Sequence, residues 1–253
     1  LKGNLALLDL ALQRFAIDTL VAKGYTPVIP PYMLNRKSYV DVTDLAVFEK
    51  VMYKIDGDDE YLIATAEHPM AAMYQDEIFE EKDLPLKMVG ISPCFRREIG
   101  AHGLDSRGLF RVHQFTKVEQ FIYCMPEKSW EMHEELLANS EELFSKLGLP
   151  YHVVNICTGD IGIVAAKKYD IEAWMPRDNA YREVVSCSNC TAYQACRLNI
   201  RVRDAHDFDS KRYLHTLNST AIATSRALRC ILENYQTEDG RVEIPEVLRP
   251  YMQ

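Results

Sequence analysis

Two stretches with a two-residue alternation, separated by a glycine-rich segment, constrain the fold of this chain more than any other feature. The first covers 88–98, where an apolar run leads into FRRE, and the second is HQFTKVEQFIY at 113–123. Three glycines, an aspartate and a serine fall within 100–108, which is typical of a loop. The pattern predicts two strands joined by this loop, with successive side chains on opposite faces.

One face of the predicted strand pair concentrates groups that bind ligands. The alternation puts Arg96 and Glu98 on one face of the first strand and five residues on one face of the second. These five are His113, Phe115, Lys117, Glu119 and Phe121, and the loop adds His102, Arg107 and Arg111. Arginine suits bidentate contact with phosphate, an aromatic ring can stack on a base, and a carboxylate accepts from an amine. The set suits a ligand with a phosphate, a purine and a zwitterion, and a solvated face with cross-strand ion pairs has the same pattern.

The strings FRREIG and RGLFRVHQFTKVEQF resemble the second signature motif of the class II aminoacyl-tRNA synthetases, in the version found in seryl-tRNA synthetases. Other segments, described below, resemble further parts of that family in the same order, so the resemblance covers nearly the whole chain. It implies an α+β fold, with an antiparallel β-sheet flanked by helices, and one catalytic domain over 1–253. We expect a piece of a longer protein, because no counterpart of the family's N-terminal tRNA-binding coiled coil precedes Leu1.

The composition is that of a globular protein, with 47% hydrophobic and 26% charged residues among 253. No apolar run approaches the roughly 18 residues of a membrane span, so we expect no membrane partner. The net charge of −8 disfavours broad, non-specific nucleic-acid binding. Seven cysteines, an odd number, indicate reduced thiols and a cytoplasmic location.

The N-terminal segment resembles the first class II motif. Apolar residues from Leu5 to Leu20 recur at helical spacing before Gly24, and the prolines of YTPVIPPYML exclude a central, fully paired strand. In the family this helix and edge strand form the homodimer interface, so the resemblance implies a homodimer through residues about 5–34. A helix packed on its own sheet edge is the alternative interpretation of this pattern.

The tripeptide Thr65-Ala66-Glu67 ends one predicted strand and opens a helix with Pro69 in its first turn. A helix cap explains the tripeptide, and in seryl-tRNA synthetases the same tripeptide contacts serine. The predicted apolar face of the helix comprises Met70, Met73, Tyr74 and Ile78.

A long helix is predicted over 125–147, with Trp130 on its buried stripe and His133 on its surface or in packing. Three strands follow, in YHVVNI, YDIEAWMP and AYREVVSCSN. Asp170 and Glu172 share a face of the second of these strands, where we interpret both as structural.

The string YREVVSCSN resembles the family segment that binds ATP through a magnesium ion, with Glu183 and Ser186 in the matching positions. Magnesium prefers hard oxygen ligands, so the carboxylate fits. The two residues fall on opposite faces of an ideal strand, so we expect a bulge, a strand end or a turn there. Cys187 and Cys190 have a zinc-like spacing without a second ligand pair, which favours reduced core thiols. Zinc-dependent members of the family have a cysteine at the position of Thr65, so the resemblance disfavours a zinc site here.

The last motif-bearing segment is LNSTAIATSRALRC, which resembles the third class II motif. Asn218, Ser219 and Thr220 are predicted to cap a helix that carries Arg226. An exposed arginine on an ordinary helix is the alternative interpretation of Arg226. The C-terminal DGRVEIPEVLRPYM also resembles the end of bacterial-type seryl-tRNA synthetases.

The resemblance implies ATP-dependent activation of serine to seryl-adenylate, with ATP and Mg²⁺ required and tRNA-Ser charged by the full-length enzyme. It implies catalytic roles for Arg96 and Arg226. The implied serine-binding residues are Thr65, Glu67, Arg96, Glu119, Asn218 and Thr220. The implied ATP-binding residues are Arg96, Arg97, Glu98, Arg111, Val112, Phe115, Glu183, Ser186 and Arg226, of which Glu183 and Ser186 hold the metal.

Three other functions are compatible with parts of the pattern. A related ligase could load an activated amino acid onto a carrier protein, because such enzymes share the fold and lack the tRNA-binding arm. A non-catalytic paralogue would have lost key side chains, whereas every matched position here holds a competent residue. A nucleic-acid-binding module is disfavoured by the acidic balance.

Overall fold

The computed structural model describes residues 1–98, 108–203 and 211–252. His102 and Arg107, predicted in the loop, lie outside the described residues. The helices are α1 (Asn4–Val21), α2 (Arg36–Val42), α3 (Leu45–Phe48), α4 (Glu67–Ala72), α5 (Ser129–Lys146), α6 (Tyr193–Arg197) and α7 (Thr224–Asn234). The strands are β1 (Thr26–Val28), β2 (Met33–Asn35), β3 (Glu60–Leu62), β4 (Ile78–Glu80), β5 (Leu86–Phe95), β6 (Gln114–Cys124), β7 (Tyr151–Asn155), β8 (Lys167–Met175), β9 (Ala180–Thr191), β10 (Arg201–Arg203), β11 (Lys211–Tyr213) and β12 (His215–Ala223). Single 3₁₀ turns cover Glu49–Val51, Glu81–Asp83, Pro126–Lys128 and Pro176–Asp178, and a longer one covers Glu246–Met252.

The main sheet of the described chain has seven strands in the order β1-β5-β6-β12-β9-β8-β7. All neighbouring pairs are antiparallel except β1 with β5, which is parallel and lies at one edge. The short, proline-bearing β1 therefore occupies the edge position that its sequence predicted. Helices flank this sheet, so the predicted α+β fold with an antiparallel sheet is confirmed.

The two faces of β6 pack against different parts of the molecule. Val118 and Ile122, on the even-numbered face, belong to the core formed with α1, α5 and α7. Phe121, on the odd-numbered face, belongs to a second core with Met70 of α4. The alternation predicted for 113–123 is confirmed by this division, and it leaves the rest of the odd-numbered face for a cavity.

The alternation predicted for the first strand extends less far than expected. β5 ends at Phe95, and Glu98 has a φ of +47°, in the left-handed region. Arg96 still donates its backbone N–H to the His113 carbonyl at 2.9 Å, so it continues the ladder for one residue. Glu98 therefore departs from the face of Arg96, because the chain turns before reaching it.

Three further expectations about secondary structure are wrong. Asn218, Ser219 and Thr220 lie inside β12, and the following helix, α7, begins only at Thr224. Helix α4 ends at Ala72, and Ile78 begins β4. Trp130, predicted on the buried stripe of α5, is 51% exposed, whereas His133 is buried. Tertiary strand pairing on both sides of β12 overrides the local preference of Asn, Ser and Thr for helix caps.

A bulge in β9 decides which residues face the cavity. Ile171 of β8 pairs with Val185, but the next residue, Glu172, pairs with Glu183, so Val184 is an extra residue. Because the extra residue reverses the alternation, Glu183 and Ser186 face the same side of the sheet. The bulge is one of the three arrangements expected for this segment. None of the described helices is long and apolar enough to cross a membrane.

Candidate active site

A cavity of about 430 Å³ opens over the middle of the main sheet. Its walls come from α4, β6, β9, β12, the start of α7 and the segment 161–165. The predicted residues that line it are Thr65, Glu67, Arg96, Phe115, Glu119, Glu183, Ser186, Asn218, Thr220 and Arg226. Residues 161 apart in sequence, from Thr65 to Arg226, are thus brought together by the sheet order.

A row of polar side chains crosses four strands of the main sheet, and the members on β6, β9 and β12 line the cavity. Glu119 of β6 lies opposite Thr220 of β12, and the Thr220 hydroxyl donates to Glu119 Oε2 at 3.5 Å. Ser186 of β9 lies opposite Asp170 of β8. Thr220 follows Ser219 and Ser186 precedes Cys187, and Ser219 and Cys187 are paired between β12 and β9.

Gly90 allows the helix that bears Glu67 to lie close to this row. Gly90 is paired with Glu119, and a Cβ on it would stand 2.7 Å from the end of the Met70 side chain and 3.1 Å from the Ala66 Cβ. The missing side chain therefore lets α4 pack tightly over β5, which brings Glu67 to the same wall as Glu119.

Glu67, Lys117 and Glu119 form what we call the buried charge cluster. Lys117 Nζ is 2.6 Å from Glu119 Oε2, and their side chains are only 8% and 2% exposed. Lys117 lies on the predicted ligand-binding face and there neutralises Glu119. Within the described chain, Glu67 forms no ion pair and accepts a hydrogen bond from Gln194 Nε2 at 2.9 Å.

The pKa values of the cluster reflect its removal from water. Burial, and next the negative charge of Glu119, raise the pKa of Glu67 to about 7, against the opposing effects of Lys117, Gln194 and Arg96. Burial also raises the pKa of Glu119, and the adjacent Lys117 opposes that rise. The cluster thus has room for one more positive charge beside Glu67.

Two neighbours of Glu67 have defined states of their own. The Thr65 hydroxyl accepts from the Glu67 backbone N–H at 3.2 Å, although Ala66 and not Thr65 is the N-cap of α4, and Thr65 also lines the cavity. Burial, and next the positive charge of Lys117, lower the pKa of His68 to about 3, so its imidazole is neutral. The His68 Nδ1 is buried without a hydrogen-bond partner in the part of the chain described.

Arg96 is held in place from two sides. Its Nε donates to the Ala64 carbonyl at 3.2 Å, and its guanidinium lies 5.3 Å from the centre of the Phe115 ring. These contacts leave the terminal nitrogens directed toward other acceptors while fixing the plane of the group. The predicted pairing of a fixed arginine with an aromatic ring is therefore present.

Arg226 and Glu183 form what we call the open ion pair. Arg226 Nη1 lies 3.1 Å from Glu183 Oε1 and donates to the Glu183 carbonyl at 2.9 Å. The Arg226 guanidinium also lies 4.9 Å from the centre of the Phe110 ring, a contact that the sequence interpretation missed. Glu183 is 47% exposed, so water reaches this pair.

Four residues predicted to bind ATP do not line the cavity. Glu98 and Arg111 form an ion pair at 3.1 Å, the Arg97 backbone donates to the Val51 carbonyl, and Val112 is half-buried. All four lie beside the segment 99–107, which is outside the described residues, so their nucleotide contacts stay predictions.

Asp170, which we interpreted as structural, is a buried carboxyl with a raised pKa beside Glu183 and Ser186. It is 6% exposed, and its Oδ1 accepts no hydrogen bond from any described residue, although Lys168 Nζ lies at 3.9 Å. Burial, and next the negative charge of Glu183, raise the pKa of Asp170 to about 6, while Lys168 and a hydrogen bond with Ser186 oppose the rise. A buried carboxylate oxygen that accepts no hydrogen bond within the described chain thus lies beside the two residues predicted to hold magnesium.

Sequence interpretation missed one wall of the cavity but assigned Cys187 and Cys190 correctly to the core. Residues 161–165 line the cavity, although IGIVA has no ligand-binding pattern apart from its glycine. Cys187 and Cys190 are free and buried, as expected of core thiols, and Cys190 also lines the cavity.

Comparison with known families identifies the architecture. Residues 50–235 match the family model described as tRNA synthetase class II core domain (G, H, P, S and T). The chain belongs to the class II tRNA synthetase core family. This match confirms the resemblance to class II synthetases that the sequence motifs indicated. The more specific resemblance to seryl-tRNA synthetases is supported by the relatives described next.

The relatives of this class II core include serine–tRNA ligases. That of Methanocorpusculum labreanum is 88% identical over 252 residues, which are 100% of this chain and 59% of that protein. A crystal structure of seryl-tRNA synthetase from Pyrococcus horikoshii complexed with ATP is 61% identical, with a TM-score of 0.96, over 99% of this chain and 56% of that chain. Cytoplasmic serine–tRNA ligase from Naegleria fowleri in complex with AMP is 49% identical, with a TM-score of 0.94, over 100% of this chain and 60% of that chain. This chain spans about three fifths of the length of the curated relatives that it matches.

Proposed function

We propose that this class II core activates L-serine with ATP, forming seryl-adenylate and pyrophosphate. The observation that carries the proposal is the buried charge cluster, in which Glu67 forms no ion pair with any described residue and Glu119 accepts from the Thr220 hydroxyl. Serine supplies an ammonium group for Glu67 and a hydroxyl that can join the Glu119–Thr220 pair. The names of the 88% and 78% identical relatives support the same substrate.

Selection of serine over alanine follows from this arrangement. A site that hydrogen-bonds a substrate hydroxyl rejects the analogue without it by roughly 10⁴, because its own polar groups are left unpaired. Glu119 and Thr220 are both buried, so a ligand that fills the cavity leaves them no water as a substitute partner. Asn218, also buried and lining the cavity, donates to Cys190 Sγ at 3.5 Å and completes this wall.

The reaction needs positioning and charge stabilisation from the protein. A serine carboxylate oxygen attacks the α-phosphorus of ATP, a new P–O bond forms, and the bond to pyrophosphate breaks. The carboxylate is already ionised at neutral pH, so no general base is needed. Arg96, fixed by Ala64 and Phe115, would hold the serine carboxylate and the α-phosphate. Arg226 would leave Glu183 to meet the adenine or the outer phosphates.

The residues of the open ion pair and its neighbours fit a magnesium ion. Glu183 and Ser186 offer oxygen ligands on one side of the sheet, and Asp170 Oδ1, which accepts no hydrogen bond from the described residues, is a third oxygen nearby. Magnesium takes oxygen ligands and is usually held by one or two carboxylates plus substrate phosphates. No three His, Cys, Asp or Glu side chains among the described residues form a metal site alone, so the phosphates would complete it. When bound, the ion would neutralise phosphate charge.

The full-length protein is proposed to transfer serine to tRNA-Ser and to work in the cytoplasm as a homodimer. The ligase names of the relatives support tRNA as the acceptor. The segment predicted at the dimer interface exposes apolar side chains, namely Leu7, Leu10, Ile29, Tyr32 and Met33. Large exposed apolar side chains concentrated in one segment favour a protein interface there.

Amino-acid-dependent ATP–pyrophosphate exchange with each of the twenty amino acids tests the proposal. Serine should give the dominant signal, with alanine lower by roughly 10⁴. A preference for glycine or alanine would indicate the carrier-protein ligase instead, and any other dominant amino acid would refute the serine assignment. Stabilisation by a non-hydrolysable seryl-adenylate analogue, about 2.7 kcal/mol at 100-fold over its Kd, is an independent measurement of a competent pocket.

A further inference from the structure

Gln194 is a buried amide that has no part in the function proposed above. It lies in the single turn of α6 and is 0% exposed. Its Nε2 donates to Glu67 Oε1 at 2.9 Å and to the Val42 carbonyl at 3.2 Å, while its Oε1 accepts from the Thr216 hydroxyl at 2.7 Å. One side chain therefore connects α4, the end of α2 and β12.

These partners fix the orientation of the amide. A carbonyl and a carboxylate can only accept, so the group between them must be the NH₂ and not the oxygen. The Thr216 hydroxyl, also buried, then supplies the donor that the amide oxygen needs. With both N–H groups and the oxygen satisfied, rotation of the amide would break three hydrogen bonds at once.

The Val42 contact extends this order to the cavity wall. Val42 ends α2, and the last carbonyls of a helix have no partner within the helix. Gln194 satisfies that carbonyl, and the next residues, Thr43 and Asp44, line the cavity. The same amide thus fixes the position of Glu67 relative to an adjacent wall segment.

The hydrogen bond divides the two oxygens of Glu67 between protein and cavity. Oε1 is bonded to Gln194, whereas Oε2 accepts no hydrogen bond from the residues described. We infer that Gln194 is a positioning residue, which holds Glu67 with Oε2 available to the ammonium group of the amino-acid substrate. The inference rests on the proposed function, because it requires a substrate ammonium at Glu67.

Gln194 also favours the ionised form of Glu67. A hydrogen bond donated to a carboxylate stabilises its charged form, and Lys117 and Arg96 act in the same direction against burial and Glu119. Removing the amide therefore weakens ammonium binding in two ways, through lost orientation and through a larger protonated fraction. The titratable or charged groups that face Glu67 are His68, Arg96, Lys117, Glu119 and Cys190.

The variant Gln194→Met tests the inference, because methionine has similar length and no amide. In ATP–pyrophosphate exchange we expect KM for serine to rise about 10–100-fold, with KM for ATP within about twofold of the wild type. The acid limb of the pH profile of kcat/KM for serine should move to higher pH. Thr216→Val, which leaves Gln194 in place but removes its donor, should raise KM for serine by a smaller factor.

Gln120→Met is the matched control. Gln120 is equally buried and donates to the Leu136 carbonyl and Ser140 Oγ, but it lies on the opposite face of β6. Its replacement should lower thermal stability without changing the ratio of the two KM values. An equal change of that ratio in both variants would reduce Gln194 to a structural residue and overturn the inference.

A titration separates this inference from the proposed function. With ¹³C-labelled glutamate, the Glu67 carboxyl is identified by its absence in Glu67→Gln, and its midpoint should rise in Gln194→Met. If wild-type protein shows no serine-dependent exchange, the proposed function fails, and the titration still decides whether Gln194 holds Glu67 ionised. An unchanged midpoint together with an unchanged KM for serine would overturn the inference. If Gln194→Met does not fold, Thr216→Val gives the same two measurements.

Discussion

The buried charge cluster and the open ion pair line the same cavity but hold their charges differently. Lys117 and Glu119 meet at 2.6 Å with side chains 8% and 2% exposed. Arg226 and Glu183 meet at 3.1 Å, but Glu183 is 47% exposed. The two ion pairs have similar lengths and differ chiefly in their access to water.

Because of this difference, the buried pair keeps its geometry when a ligand binds, whereas the exposed pair can separate. Breaking a buried pair leaves an uncompensated charge out of water, which costs several kcal/mol, so the geometry around Glu119 is kept whether or not a ligand is bound. An exposed pair contributes roughly 0–1 kcal/mol, so Arg226 and Glu183 can part at small cost when phosphates or a cation arrive. The rigid cluster suits selection of a small amino acid, and the exchangeable pair suits a large, charged nucleotide.

The largest effect is expected from Glu119→Gln. Serine-dependent exchange should fall by at least about 10³-fold, because the group proposed to bind the serine hydroxyl loses its negative charge and its ion pair with Lys117. The free energy of unfolding should also fall by about 3 kcal/mol, since Lys117 is left buried without a carboxylate. Exchange assays and urea unfolding measure the two effects.

The double variant Lys117→Met/Glu119→Gln is the control for that experiment. It removes both charges, so stability should recover toward the wild-type value while serine activation stays lost. Near-normal ATP–pyrophosphate exchange in either variant would show that Glu119 does not bind serine. The buried charge cluster would then differ from the open ion pair in stability alone.

The second effect is a pH dependence of serine binding that originates in Glu67. A carboxyl with a pKa of about 7 must lose its proton before it can accept the serine ammonium group. Serine affinity should therefore rise with pH up to about 7, by roughly tenfold per pH unit well below the pKa. Binding measured from pH 5.5 to 8 by calorimetry, with Glu67→Gln as the comparison, isolates this residue from Glu119. If the serine affinity of the wild type did not change with pH, the assignment of Glu67, with its raised pKa, to the serine ammonium group would be contradicted.

Much of the site could be predicted from the sequence, because successive side chains of a strand point to opposite faces. The alternation of HQFTKVEQFIY alone predicted that Phe115, Lys117 and Glu119 share a face, and they do line one cavity. The opposite faces of Glu183 and Ser186 in an ideal strand predicted an irregularity, and the bulge at Val184 provides it. Motif resemblance supplied the roles of these residues, which spacing alone left undecided.

Other parts of the site depend on contacts that no local pattern contains. Gln194 and Glu67 are 127 residues apart, and a single glutamine in YQACR has no distinctive neighbours. Asn218 and Thr220 favour helix caps locally, but β12 is paired on both sides, which determines their strand conformation. The partner of Lys117 was likewise undetermined, because alternation gives the face of a side chain but not the neighbour it contacts.

The third effect is a gain of stability in Glu67→Gln. Native Glu67 binds its proton up to about pH 7 and the unfolded chain only to about 4.5, so stability falls as pH rises between these values. The amide avoids this loss, so the variant should exceed the wild type by about 1–3 kcal/mol at pH 8 and by nothing near pH 4.5. Urea unfolding at both pH values provides the measurement, and a variant less stable than wild type at pH 8 would show that Glu67 is not strained by its burial.

The smallest effect is expected at the open ion pair. Arg226→Gln removes a half-exposed pair and a contact with the Phe110 ring, so the free energy of unfolding should change by no more than about 1 kcal/mol. Arg229→Gln is the matched control, because Arg229 contacts the same ring at 5.1 Å and is 12% exposed, against 18% for Arg226. Its partners, Asp178 at 2.7 Å and Glu233 at 2.6 Å, are far less exposed than Glu183. Its replacement should cost about 2–4 kcal/mol, because two carboxylates lose a sheltered partner. Equal losses in the two variants would show that Arg226 is as firmly held as Arg229, and the open ion pair could then not release its charges to a nucleotide at small cost.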